Sequence, residues 1–152
     1  MSKITKSNKL VILGDGPIAE LAYEYFTHDS PYEVVSFTVE KNYLHKKKMY
    51  DLPIYAFETI EKYFPPTEYN FFVAVSYKDM NRLRERLFFK SKEKGYTLVS
   101  YISSKSFCWG NVILGENCFI LEDNVIQPFV KIGNNVTLWS GNHIGHHSEI
   151  KD

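Results

Sequence analysis

The chain has 152 residues, with 18 Lys plus Arg against 18 Asp plus Glu, 44% hydrophobic and 24% charged residues, and a formal net charge of zero. This balance belongs to a folded domain and excludes a mainly disordered chain, while the lack of a basic excess excludes bulk attraction to nucleic acid or to an anionic membrane. No apolar run approaches the roughly 20 residues that span a bilayer, and the polar start from Met1 to Lys9 lacks a signal peptide's apolar middle, so a cytoplasmic protein is expected.

The amino-terminal part alternates short apolar runs with helical stretches. Lys9 to Gly14 reads as a buried strand, and Pro17 to His28 as a helix with proline in its first turn. Tyr32 to Val39 is a second strand, rich in β-branched and aromatic residues. A connection with a lysine run from Lys46 to Lys48, expected to be solvated, leads to a short segment at Pro53 to Phe57 and a helical turn at Glu58 to Phe64. Asn70 to Ser76 is another strand, Lys78 to Lys94 an amphipathic helix ended by Gly95, and Thr97 to Ile102 a last strand. Arg82, Arg84 and Arg86 are expected to flank an exposed face of that helix. Alternation of this kind implies a parallel sheet covered by helices, a small Rossmann-like unit over residues 1–102.

Beyond residue 103 the period changes to six. Leu114, Ile120, Ile126, Ile132, Leu138, Ile144 and Ile150 follow one another without a slip, and a second inward series, Cys118, Asn124, Val130, Val136, Asn142 and Ser148, sits four residues after each. Gly115, Gly133 and Gly145 follow the large aliphatic, where a left-handed turn is expected. The competing reading is an antiparallel meander with accidental spacing. The pattern resembles the hexapeptide repeat of left-handed parallel β-helices, which implies a three-sided prism over residues 103–152. Positions eighteen apart would then stack, Leu114 on Ile132 on Ile150, Ile120 on Leu138, and Ile126 on Ile144. Cys108 and Cys118, with neither CxxC spacing nor further cysteines, read as small buried fillers. The repeat is still in phase at Lys151 and Asp152, and the expectation is a form truncated at its carboxy end.

Two places can carry chemistry. Gly14-Asp15-Gly16-Pro17-Ile18-Ala19 is a G-x-G-x-x-A string between a strand and a helix, where glycines let backbone approach a diphosphate and the helix terminus offers N–H donors. Glu40, just past the second strand, stands where an acid often takes a ribose hydroxyl. The bland alternative is a tight turn that binds nothing. The second place is Gly141 to Ser148, which holds His143, His146 and His147, three of the five histidines. With Ile144 and Ser148 inward, His146 falls near a corner and projects outward, where an imidazole can take a proton from an attacking amine or hydroxyl and return it to a leaving thiolate. A hydrated polar face is the alternative. A zinc site on the three histidines is a further one, disfavoured because neighbours on a strand point to opposite faces; no metal is expected.

Taken together, Val11 to Glu20, Val73 to Arg84, Tyr101 to Ser106 and the repeat ending in WSGNHIGHHSEI resemble the bacterial sugar O-acyltransferase family, which includes sialic acid O-acetyltransferases and N-acetyltransferases of UDP-4-amino sugars. The resemblance implies a homotrimer, a nucleotide sugar held by the amino-terminal turn, and acetyl-CoA lying along the solenoid between subunits. The family's general base matches His146; Asn81 and Arg84 match a pattern near the sugar-nucleotide site, and Ser76 lies in the same segment. Many members carry a carboxylate after the catalytic histidine, where this chain has His147, and acidic pairs often follow the second strand where this chain has Glu40 alone. Family members also run on for several more coils that contact coenzyme A.

The expected function is therefore acetyl-CoA-dependent acetylation of the amino or hydroxyl group of a nucleotide-activated sugar, UDP-linked by expectation, in bacterial surface polysaccharide or glycan biosynthesis. His146 and His147 are its catalytic candidates. Gly14, Asp15, Gly16, Pro17, Ile18, Glu40, Ser76, Asn81 and Arg84 are its substrate-binding candidates. The alternative is a non-catalytic nucleotide-sugar-binding module.

Overall fold

The computed structural model describes residues 5–77 and 79–152. Met1 to Ile4 of the polar start, and Lys78, expected to begin the second helix, lie outside them. The chain divides into two compact units, Met1–Leu98 and Val99–Asp152. The division falls four residues before the boundary expected at 102/103, for a reason given below.

In the amino-terminal unit, β1 (Asn8–Leu13) is followed by α1 (Pro17–His28), β2 (Tyr32–Val39), the short β3 (Lys48–Met49), β4 (Leu52–Ala56), β5 (Asn70–Val73) and α2 (Arg82–Glu93). Leu10 to Leu13 are buried throughout, the continuous apolar run of a strand covered on both faces. In α1, Pro17 occupies the first turn, where its missing N–H costs nothing, and Ala19, Ala22 and Phe26 form the buried stripe. Lys6 closes the far end of that helix by donating to the carbonyls of Phe26 and Ser30 at 2.9 and 2.8 Å.

The sheet order is β3-β4-β2-β1-β5. The pairs of β4, β2, β1 and β5 are parallel, and β3 adds an antiparallel edge through a tight turn in which Tyr50 and Asp51 both adopt left-handed conformations. Strand order reverses at β1, with β2 on one side and β5 on the other, which opens a crevice at the carboxyl ends of these three strands. Val11, Leu13, Phe71, Val73, Leu87 and Phe88 form the core beneath it. The helix expected from Lys78 begins only at Arg82. Asp79, Met80 and Asn81 have φ values of 52°, 52° and 66°, which a right-handed helix does not accommodate.

The carboxy-terminal unit consists of two-residue strands, β6 (Tyr101–Ile102), β7 (Phe107–Cys108), β8 (Ile113–Leu114), β9 (Phe119–Ile120), β10 (Val125–Ile126), β11 (Lys131–Ile132), β12 (Thr137–Leu138), β13 (His143–Ile144) and β14 (Glu149–Ile150). They form three parallel three-stranded faces, β12-β9-β6, β13-β10-β7 and β14-β11-β8. Leu114 stacks on Ile132 and Ile132 on Ile150, Ile120 on Leu138, and Ile126 on Ile144, as the six-residue period requires. Cys118, Ile120, Ile126, Val130 and Ile132 are the buried column this creates. The repeat and the stacked triplets fit the expected left-handed β-helix.

Two further details differ from the sequence reading. Tyr101 and Ile102 do not complete the amino-terminal sheet; they pair with Phe119 and Ile120 as the first rung of the solenoid, while Leu98 bridges to Phe71 of β5 and the Thr97 carbonyl accepts from the Phe71 amide at 3.0 Å. The apolar run from Thr97 to Ile102 is therefore shared between two units, because both need β-branched and aromatic residues at their margins.

The glycines are the second correction. The left-handed corners fall at Asn117, Asp123, Phe129, Asn135, Gly141 and His147, one every six residues, and not at Gly115, Gly133 or Gly145. At Gly115 the constraint is space: a Cβ there would lie 2.5 Å from the carbonyl carbon and oxygen of Gly133 in the coil above. Buried Asn124 links coils as well, donating to the carbonyls of Leu121 and Trp139 and accepting from the Asn142 amide.

Candidate functional site

In the amino-terminal unit, the crevice at the strand ends holds a cavity of about 560 Å³ lined by Leu13 to Ile18, Val39, Glu40, Tyr43, Ala74 to Tyr77, Leu83 and Leu87. Gly14, at φ 135°, is pressed so closely to β5 that a Cβ would collide with the Ala74 carbonyl oxygen. Gly16 is different: it caps α1 in an extended conformation and a Cβ there would meet nothing within 4 Å. Its carbonyl accepts from Ala19 and Glu20 at 2.9 and 3.1 Å, and Pro17 has no N–H to give. The amides of Asp15, Gly16 and Ile18 have no acceptor among the described residues, the condition a bound anion would satisfy.

Charge is placed beside this turn. The Lys46 ammonium donates to the Asp15 carbonyl at 3.3 Å and lies 3.8 Å from its carboxylate, so this lysine is not simply part of a solvated run. Glu40 borders the cavity, yet both of its oxygens accept from Arg86, at 2.7 and 2.8 Å, and Lys90 lies 3.6 Å away. The hydrogen bond from Arg86 holds the Glu40 carboxyl below the usual carboxylate range, against a smaller opposing effect of burial. Arg86 is exposed, as expected of that helix, and its guanidinium is committed to Glu40.

Gly14, Asp15, Gly16, Pro17, Ile18, Glu40 and Ser76 are brought together around one cavity. Asn81 and Arg84 are not among its described lining residues: Asn81 is exposed at the start of α2 and Arg84 is half-buried. Reading the sequence missed Lys46, Arg86, and the tyrosines Tyr43 and Tyr77, which line the cavity and are 64% and 75% exposed. Aromatic content alone gave no sign that these two tyrosines stay out of the core.

On the solenoid, His146 and His147 are both exposed. The His146 amide donates to Gln127 Oε1 at 3.0 Å and the His147 amide to the Pro128 carbonyl at 3.2 Å, which anchors this corner to the coil below. His147 has φ 60°, so the alternation of a strand does not apply, and the two rings meet instead of pointing apart. Their Nδ1 atoms are 3.0 Å apart, with ring planes perpendicular. The His147 ring stacks on Phe129, centroids 4.6 Å apart and planes 28° from parallel. His143 lies on β13 in register with Val125. Among the described residues no group of three His, Cys, Asp or Glu side chains is gathered to hold a metal ion. No helix among them is long and apolar enough to cross a membrane.

Known proteins share the repeat and the fold. Residues 111–151 match the bacterial transferase hexapeptide family, described as six repeats. No curated protein matches at a significant level. Among solved structures, a variant of perosamine N-acetyltransferase from Caulobacter crescentus, in complex with CoA and GDP-perosamine, shares 20% identity at a TM-score of 0.79, over 95% of this chain and 66% of that one. The acetyltransferase domain of PglB from Neisseria gonorrhoeae shares 16% identity at a TM-score of 0.75, over 95% and 68%. WeeI from Acinetobacter baumannii shares 14% identity at a TM-score of 0.66, over 96% and 68%.

The chain thus carries a bacterial hexapeptide transferase repeat on the fold of the sugar acetyltransferases, and it spans about two thirds of the length of the solved chains it matches. This agrees with the resemblance to the bacterial sugar acyltransferases drawn from the sequence.

Proposed function

We propose that this protein is an acetyl-CoA-dependent acetyltransferase whose acceptor is the amino group of a nucleotide-activated sugar. The observation that carries the reading is an exposed histidine, fixed at a corner of a hexapeptide prism, in a chain that superposes over 95% of its length on a protein solved with CoA and GDP-perosamine. The amino-terminal unit serves as a Rossmann-like nucleotide-sugar-binding domain. The diphosphate lies against the free amides of Asp15, Gly16 and Ile18 with Lys46 beside them, and the base lies among the apolar walls and the rings of Tyr43 and Tyr77.

The sugar amine attacks the thioester carbonyl. A C–N bond forms, the C–S bond breaks, and its electron pair leaves on sulfur. His146 takes the proton from the attacking nitrogen and returns it to the thiolate. An outward base on a prism has one wall; the second comes from a sister chain, as in the homotrimer the family resemblance implies. The products are an N-acetylated nucleotide sugar and coenzyme A, for a pathway that builds bacterial surface glycans in the cytoplasm.

Calorimetry tests the binding half of this reading with UDP- and GDP-linked 4-amino sugars and with acetyl-CoA. Binding of one sugar nucleotide and of acetyl-CoA is expected. A sugar nucleotide bound without acetyl-CoA would make the chain a binding module, and binding of neither would overturn the proposal.

A further inference from the structure

We infer that His147 is a positioning residue which, seated on Phe129, holds His146 in the single tautomer whose Nε2 lone pair faces outward. The inference rests on the reading of His146 as the general base.

A neutral imidazole offers a base at Nε2 only when its proton is on Nδ1, and that proton needs an acceptor. The group within hydrogen-bond distance of His146 Nδ1 is His147 Nδ1, at 3.0 Å. One proton lies between these two nitrogens. With it on His146, His147 accepts and carries its own proton on Nε2, and His146 Nε2 is left bare. When His146 takes the substrate proton, its Nδ1–H continues to donate to His147, so neither ring has to turn during the reaction. The perpendicular planes suit this arrangement, since the lone pair of one ring lies in its own plane and meets the other ring's N–H.

The arrangement also gives a reason for two unfavourable backbone positions. Phe129 and His147 both adopt the left-handed conformation, at φ 65° and 60°, at corners where the same solenoid elsewhere uses Asn, Asp or Gly. Phe129 is moreover more than half exposed. The two residues are stacked face on face across one coil, and the stack is what keeps the His147 ring from rotating away from His146.

Nitrogen-15 spectra of the imidazoles in the full chain test this independently of any activity. His146 is expected to show a protonated Nδ1 and a bare Nε2, with His147 the reverse. In Phe129→Ala, which keeps the strained backbone, the His146 signals should move toward the average of the two tautomers. Kinetics supply the second readout. His147→Gly relieves the backbone and should fold at least as well, yet lower kcat roughly tenfold with KM unchanged, a part of the 10²–10⁴ that a positioned base supplies. His147→Asp should restore most of it, and the cost of Phe129→Ala should shrink severalfold in that background, because the stack no longer has a ring to hold. A His146 protonated on Nε2, or a Phe129→Ala cost equal in both backgrounds, would overturn the inference. The expected tautomer in a protein that transfers nothing would uphold the positioning and remove the reading of His146 as a base.

Discussion

Glu40 rests both carboxylate oxygens on the Arg86 guanidinium, at 2.7 and 2.8 Å, and so joins the end of β2 to the middle of α2 across 46 residues of sequence. Because Arg86 holds its carboxyl below the usual range, the folded state binds the proton less readily than the unfolded chain does. The pair therefore stabilises fully above the unfolded carboxylate pKa of about 4.3, and its contribution is lost as pH falls through the lowered folded value. The Arg86 side chain is 42% exposed, so solvent reduces the effect to about 0.5–1 kcal/mol. Urea denaturation should show Arg86→Ala weaker than the parent by that amount at pH 7, with the two curves converging toward pH 3.

The glycines of the βα turn separate folding from binding. Gly14→Ala places a methyl group against the Ala74 carbonyl at a φ of 135° and should cost about 2–3 kcal/mol, read as a fall in Tm. Gly16→Ala finds open space and an ordinary backbone, so Tm should hold, while calorimetry should show weaker binding of the nucleotide sugar whose diphosphate must approach that backbone.

Lys46 stands beside the same turn on an exposed side chain. Lys46→Ala should leave stability unchanged and weaken nucleotide-sugar binding roughly fivefold, equivalent to about 1 kcal/mol, with the difference shrinking as salt is raised.

In the solenoid the coil spacing depends on Gly115. Gly115→Ala would drive a Cβ to 2.5 Å from the Gly133 backbone and should lower stability by about 2–3 kcal/mol. Gly110→Ala, where a Cβ meets nothing within 4 Å, is the matched control and should change little.

Much of the fold could be read from the sequence because it repeats or alternates. The unbroken spacing from Leu114 to Ile150 contains the inward column, and α1 and β2 begin and end where proline, glycine and the apolar runs place them. What could not be read depends on backbone sign and on side chains meeting across long separations. Nothing in composition says that the corner falls at Phe129 and His147 rather than at Gly133 and Gly145, although the 18-residue spacing between those two rings follows once three sides per coil are granted. Glu40 was visible as an acid after β2, but its commitment to Arg86 was not, because an i-to-i+46 pairing leaves no periodic trace. Lys46 looked like one of three solvated lysines; only the path of the chain after β2 brings it to Asp15.

The most direct measurement is the release of coenzyme A thiol from acetyl-CoA in the presence of a nucleotide-linked 4-amino sugar, compared between the parent protein and His146→Ala. The expected result is sugar-dependent release that falls by about 10² or more in the variant while its affinity for the sugar nucleotide is unchanged. Equal rates from the two proteins would contradict the assignment of His146 as the base.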